Sequence, residues 1–299
     1  MNSTKWGLLS ILAFVWGSSF ILMKLGLQNL TPVQMGALRI VSASVVLWLI
    51  GFKSLTKIPS YKWKYIALTA LFGTFIPAFL FAYALTQINS SISSILNALT
   101  PLNTLLIGVF FFKMPALRNQ YLGVLIGFLG SFLLIYDGAI HNPANNYYFS
   151  ILIVIASACY AVNVNLLKKY VSDLEPLSIS TGNFTIMFIP AMIVLIASGF
   201  FNLPFADETL TQTNSLYTSV SVWQSVLIVF VLGAIGTGLS NVLFFRLIQL
   251  SSPIFASFVT YLIPIVAFGW GIVFQEEISF MQLLGAAIIL VGVYFSSKK

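Results

Sequence analysis

The sequence predicts an all-α membrane protein of ten transmembrane helices, arranged as two inverted repeats of five helices each. Three observations support this prediction: the composition, the spacing of the apolar segments, and the recurrence of the same residues in both halves of the chain. Of the 299 residues, 59% are hydrophobic and 7% are charged, whereas soluble domains carry roughly 25% charged residues. So little charge cannot cover a surface that faces water, and lipid is therefore the expected solvent.

Ten segments are apolar over about 20 residues, the length that a helix needs to cross the hydrocarbon core of a bilayer. Short connections with Pro, Gly, Asn or Ser separate most of them, and the two longer connections, 137–146 and 201–221, are polar. We expect the first segment to be a retained helix rather than a signal peptide, because a later segment repeats it. The predicted helices span residues 6–27, 32–52, 63–86, 91–112, 117–136, 147–169, 176–200, 222–249, 253–275 and 279–296.

The second half of the chain repeats residues of the first half at two fixed shifts. The first repeat is assigned to residues 1–139 and the second to residues 147–299. Because each repeat has an odd number of crossings, the second must enter the membrane with the opposite orientation, as in many secondary transporters. The aligned pairs are Trp16 with Tyr160, Lys24 with Lys168 and Thr31-Pro32 with Glu175-Pro176 at a shift of 144, and Ser94 with Ser257, Asn97 with Thr260, Pro101 with Pro264 and Gly108 with Gly271 at a shift of 163.

Lysine and arginine give the expected orientation of the helices. With the N-terminus in the cytoplasm, the outside loops contain no Lys or Arg, and Lys24, Arg39 and Arg246 lie within helices near their ends. Both termini are therefore expected to be cytoplasmic. The net charge of +7 is spread over alternate helix ends rather than forming one patch, so nucleic acid is not an expected partner. The basic residues of the cytoplasmic side are Lys5, Lys53, Lys57, Lys62, Lys64, Lys113, Arg118, Lys168, Lys169, Lys298 and Lys299.

The motifs of the chain are, in order, A-F-V-W-G-S-S-F at residues 13–20, Thr31-Pro32, Ala37-Leu38-Arg39, Pro264, Gln275-Glu276-Glu277, Gly285 and Gly292. In this order and spacing they resemble the EamA-type ten-helix members of the drug/metabolite transporter superfamily, and the resemblance covers essentially the whole chain. One departure is Lys113-Met114, at a helix corner where the family usually carries glutamate. The resemblance implies export or facilitated movement of small metabolites, often amino acids, without identifying the solute.

Polar residues on one face of the fourth and ninth predicted helices indicate a central cavity. Asn97 and Thr260 are expected to line it, because an amide that faces lipid would leave its donors unpaired. The alternative is close packing of small residues between helices, and it stays open for the glycines of these helices. Pro101 and Pro264 each remove a helical hydrogen bond near the membrane centre, and we interpret them as candidate gates or helix breaks.

Arg39 is the charged residue that lies deepest in a predicted helix. It follows Pro32 by seven residues, which places it about 10 Å into the helix at about 1.5 Å per residue. A charge at that depth is usually functional, although a long side chain can also reach the membrane surface. All seven carboxylates lie in loops or at helix ends, so no acid within a span is expected to carry protons.

Several aromatic and amide side chains complete the predicted site, with helix packing as the alternative role for each. They lie well inside their helices beside polar neighbours, and Asn183 belongs to the same group. The candidate substrate-binding residues are Trp16, Arg39, Tyr83, Asn97, Tyr160, Asn163, Asn241, Thr260 and Tyr261.

Signals of catalysis are missing from the sequence, and neither a catalytic residue nor a cofactor or metal is expected. His141 is the single histidine and is assigned to an outside loop, and Cys159 is the single cysteine, so no internal disulfide can form. The glycine-rich segment 233–238 lacks the spacing and the preceding strand of a phosphate-binding loop.

We therefore predict a secondary transporter of the bacterial inner membrane. It would move or export a small metabolite, with an amino acid as the first candidate, by alternating access around a central cavity. Its expected partners are this solute and the lipid bilayer, while the oligomeric state, the direction of transport and the coupling ion stay open. The alternatives are an intramembrane enzyme that acts on a lipid-like substrate and a membrane scaffold that transports nothing.

Overall fold

The computed structural model describes residues 3–113, 118–141, 146–204, 220–251, 256, 259–274 and 279–297. Within these residues the chain is a bundle of helices and forms no β-strand. The α-helices are α1 (Ser3–Gly26), α2 (Pro32–Gly51), α3 (Trp63–Ala70), α4 (Ile76–Ala84), α5 (Ser90–Asn97), α6 (Thr100–Phe112), α7 (Arg118–His141), α8 (Ser150–Leu166), α9 (Pro176–Ala197), α10 (Val222–Val231), α11 (Ser240–Leu250), α12 (Val259–Val273) and α13 (Phe280–Ser297).

Several α-helices are joined end to end by wider or tighter turns. Seven continuous helical stretches of the described residues are long and apolar enough to cross a membrane, and Leu262–Val273 and Leu283–Gly292 are shorter apolar helices. The all-helical membrane fold agrees with the sequence prediction, whereas the number of ten helices and the side of the termini stay predictions. The π-helical segments are Leu71–Phe75, Leu167–Val171 and Leu232–Leu239, and the 3-10 segments are Phe52–Lys57, Ser60–Lys62, Tyr147–Phe149 and Phe200–Asn202.

Two helices begin with the same pair of reciprocal hydrogen bonds. At the start of α2, the Thr31 hydroxyl accepts a bond of 3.2 Å from the Gln34 backbone N–H, and the Gln34 side chain accepts one of 2.9 Å from the Thr31 N–H. Ser221 and Gln224 form the equivalent bonds at the start of α10. These bonds satisfy donors that the first turn of a helix leaves unpaired, and so they fix where both helices begin.

Helices α7 and α13 are in backbone contact and run antiparallel. A Cβ atom at Gly130 would lie 2.8 Å from the Gly285 carbonyl oxygen and 2.8 Å from the Ile289 nitrogen. A Cβ atom at Gly292 would lie 2.6 Å from the Gly123 carbonyl oxygen and 2.5 Å from the Gly127 nitrogen. A shift of 162 residues relates Gly130 to Gly292, Gly123 to Gly285 and Gly127 to Ile289. The two sets of contacts are therefore equivalent, as a two-fold axis between the two helices would make them.

Helices α2 and α9 form a second antiparallel pair. The Gln34 amide donates to the Ser198 carbonyl at 3.1 Å, and the Ser44 hydroxyl donates to the Phe184 carbonyl at 3.0 Å. The Trp48 indole N–H donates to the Thr185 hydroxyl at 2.9 Å. In the predicted repeats, α2 and α9 are equivalent helices, and so are α7 and α13. Equivalent helices that pack antiparallel are the arrangement expected of an inverted repeat.

The structure differs from the predicted helices at three places. The predicted helix 91–112 is interrupted at Ala98-Leu99, directly before Pro101, which lies in the first turn of α6. By contrast, α12 continues through Pro264, because a helix in a protein interior tolerates proline where neighbouring groups satisfy the freed carbonyl. Helix α7 extends to His141, so the assignment of this residue to a loop is wrong at the level of the backbone.

Candidate functional site

A cavity of about 100 Å³ lies inside the bundle, between residues of both predicted repeats. This volume is below the roughly 300–1,000 Å³ of most ligand pockets, so the conformation accommodates a small solute. The cavity is lined by Trp16, Ser19, Phe20, Met23, Arg39, Gly73, Thr74, Ala78, Phe81, Asn97, Thr100, Tyr160, Asn163, Val164, Gly236, Thr237, Asn241, Phe244, Thr260 and Ile263.

Two π-helical segments bring backbone polar groups to the cavity. Gly73 and Thr74 come from the segment Leu71–Phe75, and Gly236 and Thr237 come from the segment Leu232–Leu239. The wider turns of a π-helix displace carbonyl groups from the regular α-helical pattern, and such turns are frequent at functional sites. The Trp16 indole N–H donates to the Gly236 carbonyl at 2.9 Å, which holds the indole at the cavity wall.

Arg39 places a guanidinium group at this cavity. Its Nε–H donates to the Thr237 hydroxyl at 2.5 Å, and one terminal N–H group lies 3.6 Å from the Met23 sulfur. The Thr237 hydroxyl in turn donates to the Leu232 carbonyl at 3.4 Å. Within the described part of the chain, no carboxylate pairs with Arg39, because the described ion pairs are both at one end of the bundle. The remaining N–H donors of the guanidinium and its positive charge are therefore available to bind a solute.

Aromatic rings form much of the remaining wall. Trp16 and Phe244 are in edge contact with ring centroids 5.1 Å apart, and Phe20 and Phe81 are in edge contact at 5.8 Å. Phe81 stacks with Tyr160 at 6.0 Å. The wall thus offers apolar area together with a hydroxyl group.

The structure brings seven of the nine candidate residues to the cavity. Tyr83, in contrast, does not line it and is 41% exposed. The side chain of Tyr261 lies outside the described residues, and neither Pro101 nor Pro264 lines the cavity. The candidates at the cavity are Trp16, Arg39, Asn97, Tyr160, Asn163, Asn241 and Thr260.

Further lining residues escaped the sequence analysis although the repeat marks them. Eighteen of the 20 lining residues pair with one another at the two shifts, and Met23 and Arg39 are the two that do not. The repeat was therefore the signal that could have found them. The pairs are Trp16 with Tyr160, Ser19 with Asn163 and Phe20 with Val164 at a shift of 144, and Gly73 with Gly236, Thr74 with Thr237, Ala78 with Asn241, Phe81 with Phe244, Asn97 with Thr260 and Thr100 with Ile263 at a shift of 163.

Contacts between the two predicted repeats cross the end of the bundle at which α1 begins. The Lys62 ammonium donates to the Asp173 carboxylate, and the Lys57 ammonium lies 3.0 Å from the Glu175 carboxylate. We call these two ion pairs the inner closure. The hydrogen bond from Lys62 lowers the pKa of Asp173 below its ordinary value, so this carboxylate is ionised at neutral pH.

Neutral hydrogen bonds form the equivalent contacts at the other end. The Asn29 amide donates to the Ser225 hydroxyl at 2.9 Å and to the Val220 carbonyl at 2.8 Å, and the Val220 N–H donates to the Gln28 side chain at 3.1 Å. We call these bonds the outer closure. At the two shifts of the repeat, Asn29 corresponds to Asp173, and Ser225 corresponds to Lys62. One contact thus occurs twice, as an ion pair at one end and as a neutral pair at the other.

Comparison with known proteins agrees with this architecture. The model of the EamA-like transporter family matches residues 5–136 and 148–298. An "Uncharacterized transporter" of Archaeoglobus fulgidus is 26% identical, with 100% of this chain and 99% of the relative covered. A "Probable amino-acid metabolite efflux pump" of Escherichia coli is 25% identical over 98% of this chain and 95% of its own.

A solved crystal structure has the same fold. It superposes with a TM-score of 0.62 at 15% identity and covers 99% of this chain and 98% of its own. The apolar helices, together with the relatives in Bacillus subtilis and Salmonella typhimurium, identify an integral protein of the inner membrane.

Proposed function

The chain belongs to the EamA-like transporter family, and we propose that it is a secondary transporter of a small metabolite that carries a carboxylate group. An amino acid is the first candidate, because relatives of Escherichia coli and Salmonella typhimurium are named as efflux pumps for amino-acid metabolites. Transport would proceed by alternating access, with the solute bound in the cavity between the two repeats.

The observation that carries this proposal is the guanidinium of Arg39 at a cavity whose described lining residues include no Asp or Glu. A charge inside the membrane is costly unless a partner compensates it. Thr237 and Met23 bind part of the guanidinium but carry no charge. A carboxylate of the solute would supply the missing charge, and it would bind through charge-assisted hydrogen bonds.

The paired lining and the two closures support alternating access. An inverted repeat gives one molecule two conformations that resemble each other, in which the site opens to opposite sides. Opening towards the cytoplasm would separate Lys62 from Asp173, and opening towards the outside would separate Asn29 from Ser225. The two closures would then open in turn while the solute stays between Arg39 and the aromatic walls.

The alternative of an intramembrane enzyme finds no support in the cavity. A nucleophile and base pair, or a metal site, would need Asp, Glu, His or Cys there. The described lining has none of these residues, and no group of three or more of them occurs elsewhere in the described part of the chain. A scaffold without transport would have no use for a guanidinium held at a central cavity.

Counterflow in reconstituted vesicles tests the proposal. Vesicles loaded with amino acids and other small carboxylates should take up the labelled solute without a pH gradient. Arg39→Gln should weaken binding of the solute about 10- to 150-fold, because a hydrogen bond to a charged group contributes about 1.5–3 kcal/mol. Arg246→Gln is the matched control, since Arg246 also lies in an apolar helix but is exposed and away from the cavity. Equal transport by Arg39→Gln and the unmodified protein would contradict the proposal.

A further inference from the structure

Asn163 carries a buried polar atom that no group of the described residues satisfies. Its side chain is 5% exposed and lines the cavity, and its Oδ1 atom has no hydrogen-bond partner among the described residues. Turning the amide over would exchange Oδ1 and Nδ2 and would still leave one polar atom in that buried position unpaired. Buried side-chain polar groups usually have a partner, so an exception at a cavity points to a ligand group.

Gly73 permits this position of the amide. A Cβ atom at residue 73 would lie 2.4 Å from Asn163 Nδ2 and 2.5 Å from Asn163 Cγ, which is far inside van der Waals contact. Any larger residue at this place in the π-helical segment Leu71–Phe75 would push the amide away. The segment therefore holds Asn163 against the cavity wall through shape, without binding its polar atoms.

The residue equivalent to Asn163 is satisfied within its own helix. At a shift of 144, Asn163 corresponds to Ser19, which also lines the cavity. The Ser19 hydroxyl donates to the Val15 carbonyl at 2.8 Å, one turn earlier in α1. The first repeat thus presents a satisfied hydroxyl where the second presents an unsatisfied amide.

The charged residue shows the opposite asymmetry. At the same shift, Arg39 corresponds to Asn183. Asn183 accepts a hydrogen bond of 2.9 Å from the Thr69 hydroxyl, is 1% exposed and does not line the cavity. Arg39 contacts the π-helical segment of the second repeat, whereas Asn163 contacts that of the first. Because these segments are repeat equivalents, the guanidinium and the amide are held at repeat-related parts of the cavity.

We propose that Asn163 determines specificity by binding a second polar group of the solute, opposite the carboxylate held by Arg39. This inference rests on the proposed function and narrows it. The solute carries a hydroxyl or amino group beside its carboxylate, and its carbon chain lies against the aromatic wall. A plain carboxylic acid of the same size would bury the Asn163 amide without a partner, and it would bind more weakly for that reason.

Three-membered sets of acids that differ in one group test this inference. One set is propionate, lactate and alanine, and a second is 4-methylpentanoate, 2-hydroxy-4-methylpentanoate and leucine. Binding to the purified protein is measured at neutral pH as ligand-dependent thermal stabilisation, so that leakage of acids through lipid plays no role. In at least one set, the hydroxy or amino acid should bind about 10-fold or more tightly than the plain acid, which equals about 1.4 kcal/mol.

Variants assign that preference to Asn163. In Asn163→Leu, the preference should disappear while binding of the plain acid persists. Arg246→Gln, which is exposed and lies away from the cavity, should keep the preference. Two results would overturn the inference and leave the proposed function standing. One is equal binding of plain and substituted acids by the unmodified protein, and the other is a preference that survives Asn163→Leu. Failure of every acid to bind would overturn the proposed function itself.

Discussion

Replacing Asp173 by Asn tests whether the inner closure controls access to the cavity. The Lys62 side chain is 8% exposed, whereas that of Asp173 is 64% exposed. The variant therefore leaves a nearly buried ammonium beside a neutral amide. If the ion pair exists only while the cytoplasmic end is closed, its loss shifts the equilibrium towards the conformation that is open to the cytoplasm.

The size of the shift follows from the exposure of the two partners. A hydrogen bond between charged groups contributes about 1.5–3 kcal/mol, and solvent around the exposed carboxylate reduces this contribution. We expect a loss of about 1–2 kcal/mol, which raises the ratio of open to closed molecules about 5- to 30-fold. The lowered pKa of Asp173 gives the sign of the pH dependence: the contribution is complete above the ordinary carboxyl pKa and is lost only as the pH falls through the lowered one.

Labelling of a cysteine in the cavity measures this ratio. Cys159, the single cysteine, is replaced by Ala, and Ser19, which lines the cavity, is replaced by Cys. A membrane-impermeant maleimide is then added to the cytoplasmic side of inside-out vesicles. The rate of labelling should rise about 5- to 30-fold in Asp173→Asn and should not depend on pH between neutral and mildly acidic conditions.

Two controls separate the ion pair from a general loosening of the protein. Lys57→Gln removes the other pair, whose side chains are 58% and 59% exposed, and should change the labelling rate much less. The double variant Lys62→Ser with Asp173→Asn places the neutral Asn–Ser pair of the outer closure at the inner end. Its labelling rate should lie between those of Asp173→Asn and Lys57→Gln. An unchanged rate in Asp173→Asn would refute the role of the closure.

Two further predictions concern packing and topology. Gly292→Ala places a Cβ atom 2.5 Å from the Gly127 backbone, so it should force α7 and α13 apart. We expect it to destabilise the protein by about 1–3 kcal/mol and to lower its melting temperature in detergent. Gly269→Ala is the control, because its Cβ atom would meet no atom within 4 Å and should leave that temperature unchanged. Reporter domains fused after Lys57, Lys113 and Lys299 should report the cytoplasm, and those fused after Asn145 and Thr211 should report the outside. A cytoplasmic reporter at Asn145 would give each repeat an even number of crossings and would contradict the inverted arrangement.

The fold was largely predictable because lipid imposes strong rules on a sequence. Composition and apolar length alone predict an all-helical membrane protein, since a backbone in lipid must satisfy its own hydrogen bonds. The repeat then predicts which helices are equivalent. By contrast, the break before Pro101 and the continuous helix at Pro264 could not be distinguished beforehand, because the two prolines occupy equivalent positions of the repeat.

Side-chain direction was the harder part of the site. Arg39 and Asn97 were found because a polar group within a helix needs a polar surrounding. Tyr83 does not line the cavity, because a position well inside a helix does not determine which way a side chain points. Thr237 was missed although the repeat pairs it with Thr74, because its role depends on a hydrogen bond from Arg39 in the other repeat.

The pairing of Lys62 with Ser225 across the repeat shows how membrane insertion limits molecular symmetry. In the predicted topology Lys62 lies on the cytoplasmic side and Ser225 on the outside, and the positive-inside rule favours lysine at the first position but not at the second. The two copies of this contact are therefore expected to differ in charge whichever solute the protein carries. If the protein works by alternating access, its two ends differ in the strength of the contact that closes them, with an ion pair at one end and a neutral pair at the other.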